Sequence, residues 1–182
     1  MNDESRPGDE RLRKEGSKLV YRGEIFSVRK ETFQYADGGR ATREVVVHPG
    51  AVCVIPHDDR SVYLVEQPRE AVEEPALLEL PAGKMDVEGE TPLECAQREL
   101  GEEIGKSAGD WRELKSFYTS PGFTNERVWL FLATELYDTP ERRTTDERIE
   151  IVQFPLDDLD TAIARCEDAE SLIGLLLLRE LV

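Results

Sequence analysis

The 182 residues carry 39 Asp and Glu against 23 Lys and Arg, a formal net charge of −16, with 39% hydrophobic and 34% charged residues. That length suits one domain of ordinary size, or one with a small appendage, and the apolar content is enough for a core, so wholesale disorder is excluded. A chain this acidic, with no local basic stripe, is a poor partner for nucleic acid or an anionic membrane surface, and its longest apolar stretch, Leu172–Leu178, falls far short of the about 20 residues of a bilayer helix.

Residues 1–17 are charge-rich and show neither periodicity nor the apolar core of a signal peptide, so they read as a flexible leader. Residues 18–48 turn to strands: Ile25, Val28 and the Phe33/Tyr35 pair lead into Asp37-Gly38-Gly39, a hairpin signal, and Thr42–His48 runs β-branched. This block has too few apolar residues for a core of its own and must pack on the rest or on a second subunit. Residues 49–182 form the main domain. Its predicted strands are Ala51–Ile55, Ser61–Val65, Leu114–Thr119, Val128–Ala133 and Ile149–Phe154, with helices at Pro92–Ile104, Asp157–Cys166 and Ala169–Leu181. The absence of a regular βαβ rhythm predicts an α+β class. Cys53, Cys95 and Cys166, odd in number and widely spaced, form neither a disulfide framework nor a zinc pattern, which fits a reducing, cytoplasmic setting.

The chemistry concentrates in Gly83–Gly105. Thr91 is placed as N-cap, Pro92 at the first helical position, Glu94 as the partner of a capping box, and Gly105 as a left-handed terminator. On the helical wheel Glu103 lies about 40° from Glu99 and Glu102 about 60° on the other side, next to an apolar arc of Leu93, Ala96, Leu100 and Ile104. Like charges at these spacings destabilise a helix, and they stand near the C-terminal end, where the dipole disfavours anions. Two readings follow: a divalent cation held by hard oxygen ligands, or a solvated acidic face.

The stretch resembles the Nudix box, a glycine, a glutamate and then Arg-Glu-aliphatic-x-Glu-Glu-x-Gly, here Gly83, Glu90 and Arg98-Glu99-Leu100-Gly101-Glu102-Glu103-Ile104-Gly105. It departs from that pattern twice, with one extra residue between Gly83 and Glu90 and with Lys106 where an aliphatic residue is usual. The resemblance implies a mixed β-sheet sandwiched between helices, preceded by a small antiparallel β block. It implies Glu99 and Glu103 as the main ligands of Mg²⁺ or Mn²⁺, Glu102 and the Ala82 carbonyl assisting, and a Glu90–Arg98 ion pair joining loop to helix.

Outside the box the chain is similar to the ADP-ribose pyrophosphatase branch. Leu78-Glu79-Leu80-Pro81-Ala82-Gly83 precedes the box, Ser120-Pro121-Gly122-Phe123-Thr124-Asn125-Glu126 follows it, and Gln67-Pro68-Arg69 stands where the branch has Gln-aromatic-Arg. The likeness implies hydrolysis of ADP-ribose to AMP and ribose 5-phosphate, in a homodimer that swaps its N-terminal strands. It implies Phe26, Arg43 and Glu44 at the adenine, Arg69 at the diphosphate, Gly122 and Glu126 at the terminal ribose, and Glu147 as general base with Glu150 as its competitor. The alternatives are another nucleoside diphosphate sugar such as GDP-mannose, or a non-catalytic domain that senses ADP-ribose or NAD. Core packing is as good a reading of Phe26. Structural roles suffice for His48 and His57 in turns, for Cys95 as a small buried residue, and for Trp111, Trp129 and the Leu172–Leu178 helix as core or subunit contact.

Overall fold

The computed structural model describes residues 11–139 and 148–182. The chain divides into two compact units, one built on the segment ending at His48 together with Ser120–Glu126, the other on Pro49–Thr119 and Arg127–Val182.

The first unit is an antiparallel meander of β1 (Leu12–Arg22), β2 (Ser27–Tyr35) and β3 (Arg40–Val47), in that order. The β2–β3 turn falls where Asp37-Gly38-Gly39 places it. Gly38 takes φ +83°, open to glycine at no steric cost, and the Gly39 amide donates to Asp37 Oδ1 at 2.9 Å. The sheet begins at Leu12, well ahead of residue 18, because β1 is held by its backbone ladder to β2 rather than by apolar alternation. All eleven of its residues are exposed, so no burial pattern announces it. The Ser120–Glu126 segment is tied to the end of β3: the Val46 amide donates to Phe123 O at 2.8 Å and the His48 amide to Asn125 Oδ1 at 2.9 Å.

In the second unit, β5 (Ser61–Arg69), β6 (Glu74–Glu79) and β10 (Glu150–Pro155) form a sheet in the order β10-β5-β6, while β4 (Ala51–Pro56), β7 (Ala82–Lys84), β8 (Lys106–Tyr118) and β9 (Arg127–Asp138) form another in the order β7-β4-β9-β8. The second sheet is mixed, with β4 parallel to β9 and antiparallel to β7. Alternate side chains of a strand point to opposite faces, and both faces of β4 are covered. Cys53 and Ile55 join Leu64, Leu80, Leu130, Leu175 and Leu178 in one core. Val52 and Val54 join Tyr63, Val65, Ala96, Leu100 and Phe131 in the other.

Three helices complete this unit: α1 (Pro92–Ile104), α2 (Leu159–Arg165) and α3 (Ala169–Arg179). α1 has the sequence-predicted bounds and carries the full capping box, Thr91 accepting from the Glu94 amide and Glu94 from the Thr91 amide. Gly105 ends it at φ +66°. Leu93, assigned to its apolar arc, is exposed instead, since it lies in the first turn ahead of the residues that reach the sheet. β6, β7 and the first half of β8 are additions to the sequence reading: Glu-Pro-Ala-Leu-Leu-Glu and the tripeptide Ala-Gly-Lys lack β-branched residues, and Lys106–Glu113 lacks alternation. Among the described residues no helix is long and apolar enough to cross a membrane.

Candidate active site

Between β6 and β7 the chain leaves one sheet and joins the other through Leu80-Pro81. The Ala82-Gly83 backbone then runs beside α1 so closely that a Cβ on Gly83 would fall on the Glu99 carboxylate. With glycine there, the Glu99 carboxylate can lie against the backbone; a side chain would displace it. One turn on, the Ala82 amide donates to Glu103 Oε2 at 3.2 Å, and Glu103 is buried. Ala82, Gly83, Glu99, Glu102 and Glu103 line a cavity of about 400 Å³ with Gln67, Arg69, Lys84, Asp86, Arg98 and Glu170. Its wall therefore carries five carboxylates against three cationic side chains, and it suits a cation better than an anion.

Arg98 moderates this crowding. Its Nε and Nη2 form a fork on Glu90 at 2.8 and 3.1 Å, and its Nη1 reaches Glu99 Oε1 at 2.7 Å and Glu102 Oε2 at 3.1 Å. The hydrogen bonds from Arg98 hold the Glu90 carboxyl below its ordinary range, and those to Glu90 and then the charge of Glu99 raise the guanidinium well above its own. With Glu99 and Glu102 drawn to Arg98, and Glu103 turned to the Ala82 amide, no group of three acidic, histidine or cysteine side chains among the described residues already converges as a metal cage. The Cys95 thiol is buried below this cluster and pushed up to about 12, by desolvation first and by Glu90 and Glu99 after it, which makes it an inert packing residue.

Arg69 reaches the cavity from β5 through a partner that sequence reasoning missed. Glu79, buried on β6, accepts from Arg69 Nε at 2.9 and 3.0 Å, from Arg69 Nη2 at 2.8 Å and from Gln67 Nε2 at 2.9 Å. Burial works to lower the Arg69 pKa, yet the bonds and charge of Glu79 prevail and leave it raised. The signal was present in the sequence: an acidic residue between Leu78 and Leu80, in a run that otherwise reads as core, must have a buried partner. Lys106, the departure from the box pattern, also finds its reason. Its ammonium pairs with Asp138 at 2.9 Å and lies 5.1 Å from the centre of the Tyr63 ring.

Phe26, Arg43, Glu44, Gly122 and Glu126 belong to the N-terminal unit. There Phe26 is 40% exposed, against a core role, with its ring centre 6.2 Å from that of Tyr21. Arg43 Nη1 donates to the Thr42 carbonyl at 2.9 Å, Glu44 stands opposite Lys30 in the β2–β3 ladder, Gly122 is exposed in a turn, and Glu126 approaches His48 Nδ1 at 3.1 Å. Glu150 opens β10 opposite Glu66. Glu147 lies outside the described residues.

Residues 47–173 match the model of the NUDIX domain. The chain is 38% identical to an ADP-ribose pyrophosphatase of Bacillus subtilis (strain 168), over 76% of each chain, and 36% identical to an ADP-ribose pyrophosphatase of Mycobacterium tuberculosis (strain ATCC 25618 / H37Rv), over 86% of this chain and 76% of the relative. A solved structure described as an ADP compounds hydrolase superposes with a TM-score of 0.81 at 25% identity, covering 94% of both chains.

Proposed function

The chain belongs to the NUDIX family, and from that premise we propose that it hydrolyses the diphosphate of ADP-ribose to AMP and ribose 5-phosphate with Mg²⁺, or Mn²⁺, as cofactor. The observation that carries this reading is the meeting of Glu99, Glu102 and Glu103 with Arg69 and the Ala82-Gly83 backbone in one cavity. The substrate class follows the relatives named ADP-ribose pyrophosphatase.

The donor set suits such a cation: carboxylates and a peptide carbonyl, with no imidazole and no exposed thiol among the cavity residues. The space that Gly83 leaves for Glu99 would be filled by any other side chain. Glu99 and Glu103 would hold the cation, with Glu102 and the Ala82 carbonyl assisting. When bound, it supplies charge neutralisation on the diphosphate and a lower pKa for water.

The chain's own residues do the rest. Glu90 fixes Arg98, and Arg98 keeps the mutually repelling carboxylates of Glu99 and Glu102 in place. Arg69 is bonded to Glu79 through Nε and Nη2, so Nη1 is the nitrogen we assign to a phosphate oxygen. A water oxygen attacks one phosphorus, the bridging P–O bond breaks, and the departing phosphate keeps the bridging oxygen. Glu147 is assigned the proton of that water, on the Asp146-Glu147-Arg148-Ile149-Glu150 run. Phe26, Arg43 and Glu44 are assigned to the adenine, Gly122 and Glu126 to the terminal ribose. A homodimer formed through β1–β3 is supported by the exposed Val20, Tyr21 and Phe26, and a cytoplasmic setting by three free, buried cysteines.

The test is a panel of nucleoside diphosphate sugars assayed with Mg²⁺, with product analysis. The expected result is AMP and ribose 5-phosphate from ADP-ribose at the highest kcat/KM. A preference for GDP-mannose would overturn the substrate, and saturable binding of ADP-ribose without turnover would favour a sensing domain.

A further inference from the structure

Among the described residues, four polar or charged side chains are buried, and three of them, Glu79, Glu103 and Ser171, sit on or bond to the stretch Glu79–Ala82. Glu79 and Glu103 belong to the site already described. Ser171 does not: it comes from the first turn of α3, far along the sequence, and is 0% exposed.

Leu80-Pro81 crosses between sheets and belongs to neither strand, so its polar groups must be satisfied one by one. Pro81 has no N–H, and its carbonyl accepts from the Val54 amide at 2.8 Å. The Leu80 amide donates to Ser171 Oγ at 2.8 Å. A serine hydroxyl has one proton to give, and this one goes to Asp168 Oδ2 at 2.6 Å, which leaves the oxygen as an acceptor for Leu80. Asp168 also caps α3, accepting the Ser171 amide at 2.9 Å, so the hydroxyl is fixed in direction by the helix end itself. One turn further on, Gly174 admits the Leu80 side chain so closely that a Cβ there would collide with it. α3 thus grips Leu80 by its amide and by its side chain, on one helical face.

We propose that Ser171 is a positioning residue for the reaction: through Leu80 it sets the Ala82-Gly83 backbone against Glu99 and Glu103, and α3 is in this way an outer support of the cation-binding segment. The proposal rests on the functional reading above, in that this segment is taken to hold the cation and the diphosphate. The same helical turn places Glu170 in the cavity wall, so a shift of α3 would reach the site at two points.

The test uses the full chain with Mn²⁺ as the probe. Ser171→Ala is expected to speed hydrogen exchange at the Leu80 amide, to weaken Mn²⁺ binding measured by calorimetry, and to lower kcat on ADP-ribose by about tenfold or more while KM moves much less, as misplacement remote from the chemistry does. Val62→Ala, which opens a cavity in the core on β5, is the control for stability alone: it lowers Tm and leaves kcat and Mn²⁺ affinity at wild-type values. Asp168→Asn keeps the cap filled while weakening the hold on the hydroxyl, and is expected to show the same changes at smaller amplitude. Wild-type kcat and Mn²⁺ affinity in Ser171→Ala, or losses in Val62→Ala that match it at equal Tm, would overturn the proposal. If Ser171→Ala does not fold, wild-type values in Asp168→Asn overturn it. An active wild type beside an unimpaired Ser171→Ala sinks this inference alone, whereas a wild type that neither takes up Mn²⁺ nor cleaves ADP-ribose sinks the functional reading and this inference with it.

Discussion

β4 and β1 are strands of one chain with opposite surroundings. Val52, Cys53, Val54 and Ile55 are fully buried on the two faces of β4, whereas all eleven residues of β1 are exposed, with Val20 at 60%. In the unit around β4, apolar burial of about 25 cal/mol per Å² drives folding, and the few polar groups taken inside are each matched by a partner. Glu79 holds Arg69 and Gln67, Glu103 takes the Ala82 amide, and Ser171 takes the Leu80 amide. In the N-terminal sheet the ladder supplies the order, and Leu19, Val20, Tyr21 and Tyr35 are exposed. The contrast is between a unit ordered by side-chain burial and a sheet ordered by its backbone ladder.

The largest effect should come from the core side of this contrast. Glu99→Gln is expected to lower kcat by about 10²–10³-fold, the usual cost of removing one preorganised electrostatic contact. Gly83→Ala, whose Cβ would take the place of the Glu99 carboxylate, should act in the same direction. Steady-state kinetics with folding checked by circular dichroism measures both, and near-wild-type turnover in either would break the assignment of catalysis to this unit.

A second comparison separates stability from assembly. Leu100→Ala, fully buried on α1, should cost about 2–5 kcal/mol in urea unfolding. Trp111 and Trp129 are the chain's two tryptophans and both lie in the β4 unit, so their fluorescence reports on that unit. Val20→Asp on β1 should change this signal by about 1 kcal/mol or less while shifting the mass in light scattering from that of the proposed dimer to that of a monomer. An equal loss in the two variants would remove the contrast.

The smallest effect concerns Asp58, which accepts from the Tyr63 hydroxyl at 2.6 Å and from the Arg60 and Ser61 amides at 2.8 Å each. These bonds, the tyrosine's first, lower its pKa below 3.8. A depressed folded-state pKa contributes stability that is present above the unfolded value and lost as pH falls through the folded one. The Tyr63 phenol, pushed up to about 12 mainly by that same bond, keeps its proton throughout this range. Urea midpoints between pH 7 and 3 should therefore fall less steeply in Tyr63→Phe than in wild type. Parallel curves would show that the bond has no energetic role.

Much of the site was legible because helix signals are local. Thr91, Pro92, Glu94 and Gly105 bounded α1, and wheel geometry put Glu99, Glu102 and Glu103 on one arc. What stayed hidden was set by partners distant in sequence. β1 carries no apolar alternation, β7 is three residues long, and the bonds from Arg69 to Glu79 and from the Leu80 amide to Ser171 join residues that no periodicity connects. The crowded carboxylates called for a compensating charge, and Arg98 brings one to Glu99 and Glu102.

Calorimetric titration of Mn²⁺ into the wild type and into the Glu99→Gln/Glu103→Gln double variant, each with a non-hydrolysable ADP-ribose analogue present, puts the central claim at risk most directly. Saturable uptake in the wild type, weakened by about tenfold or more in the double variant, is the expected result. Wild-type protein that takes up no Mn²⁺, or a double variant that binds it equally well, would contradict the assignment of these carboxylates as the cation site.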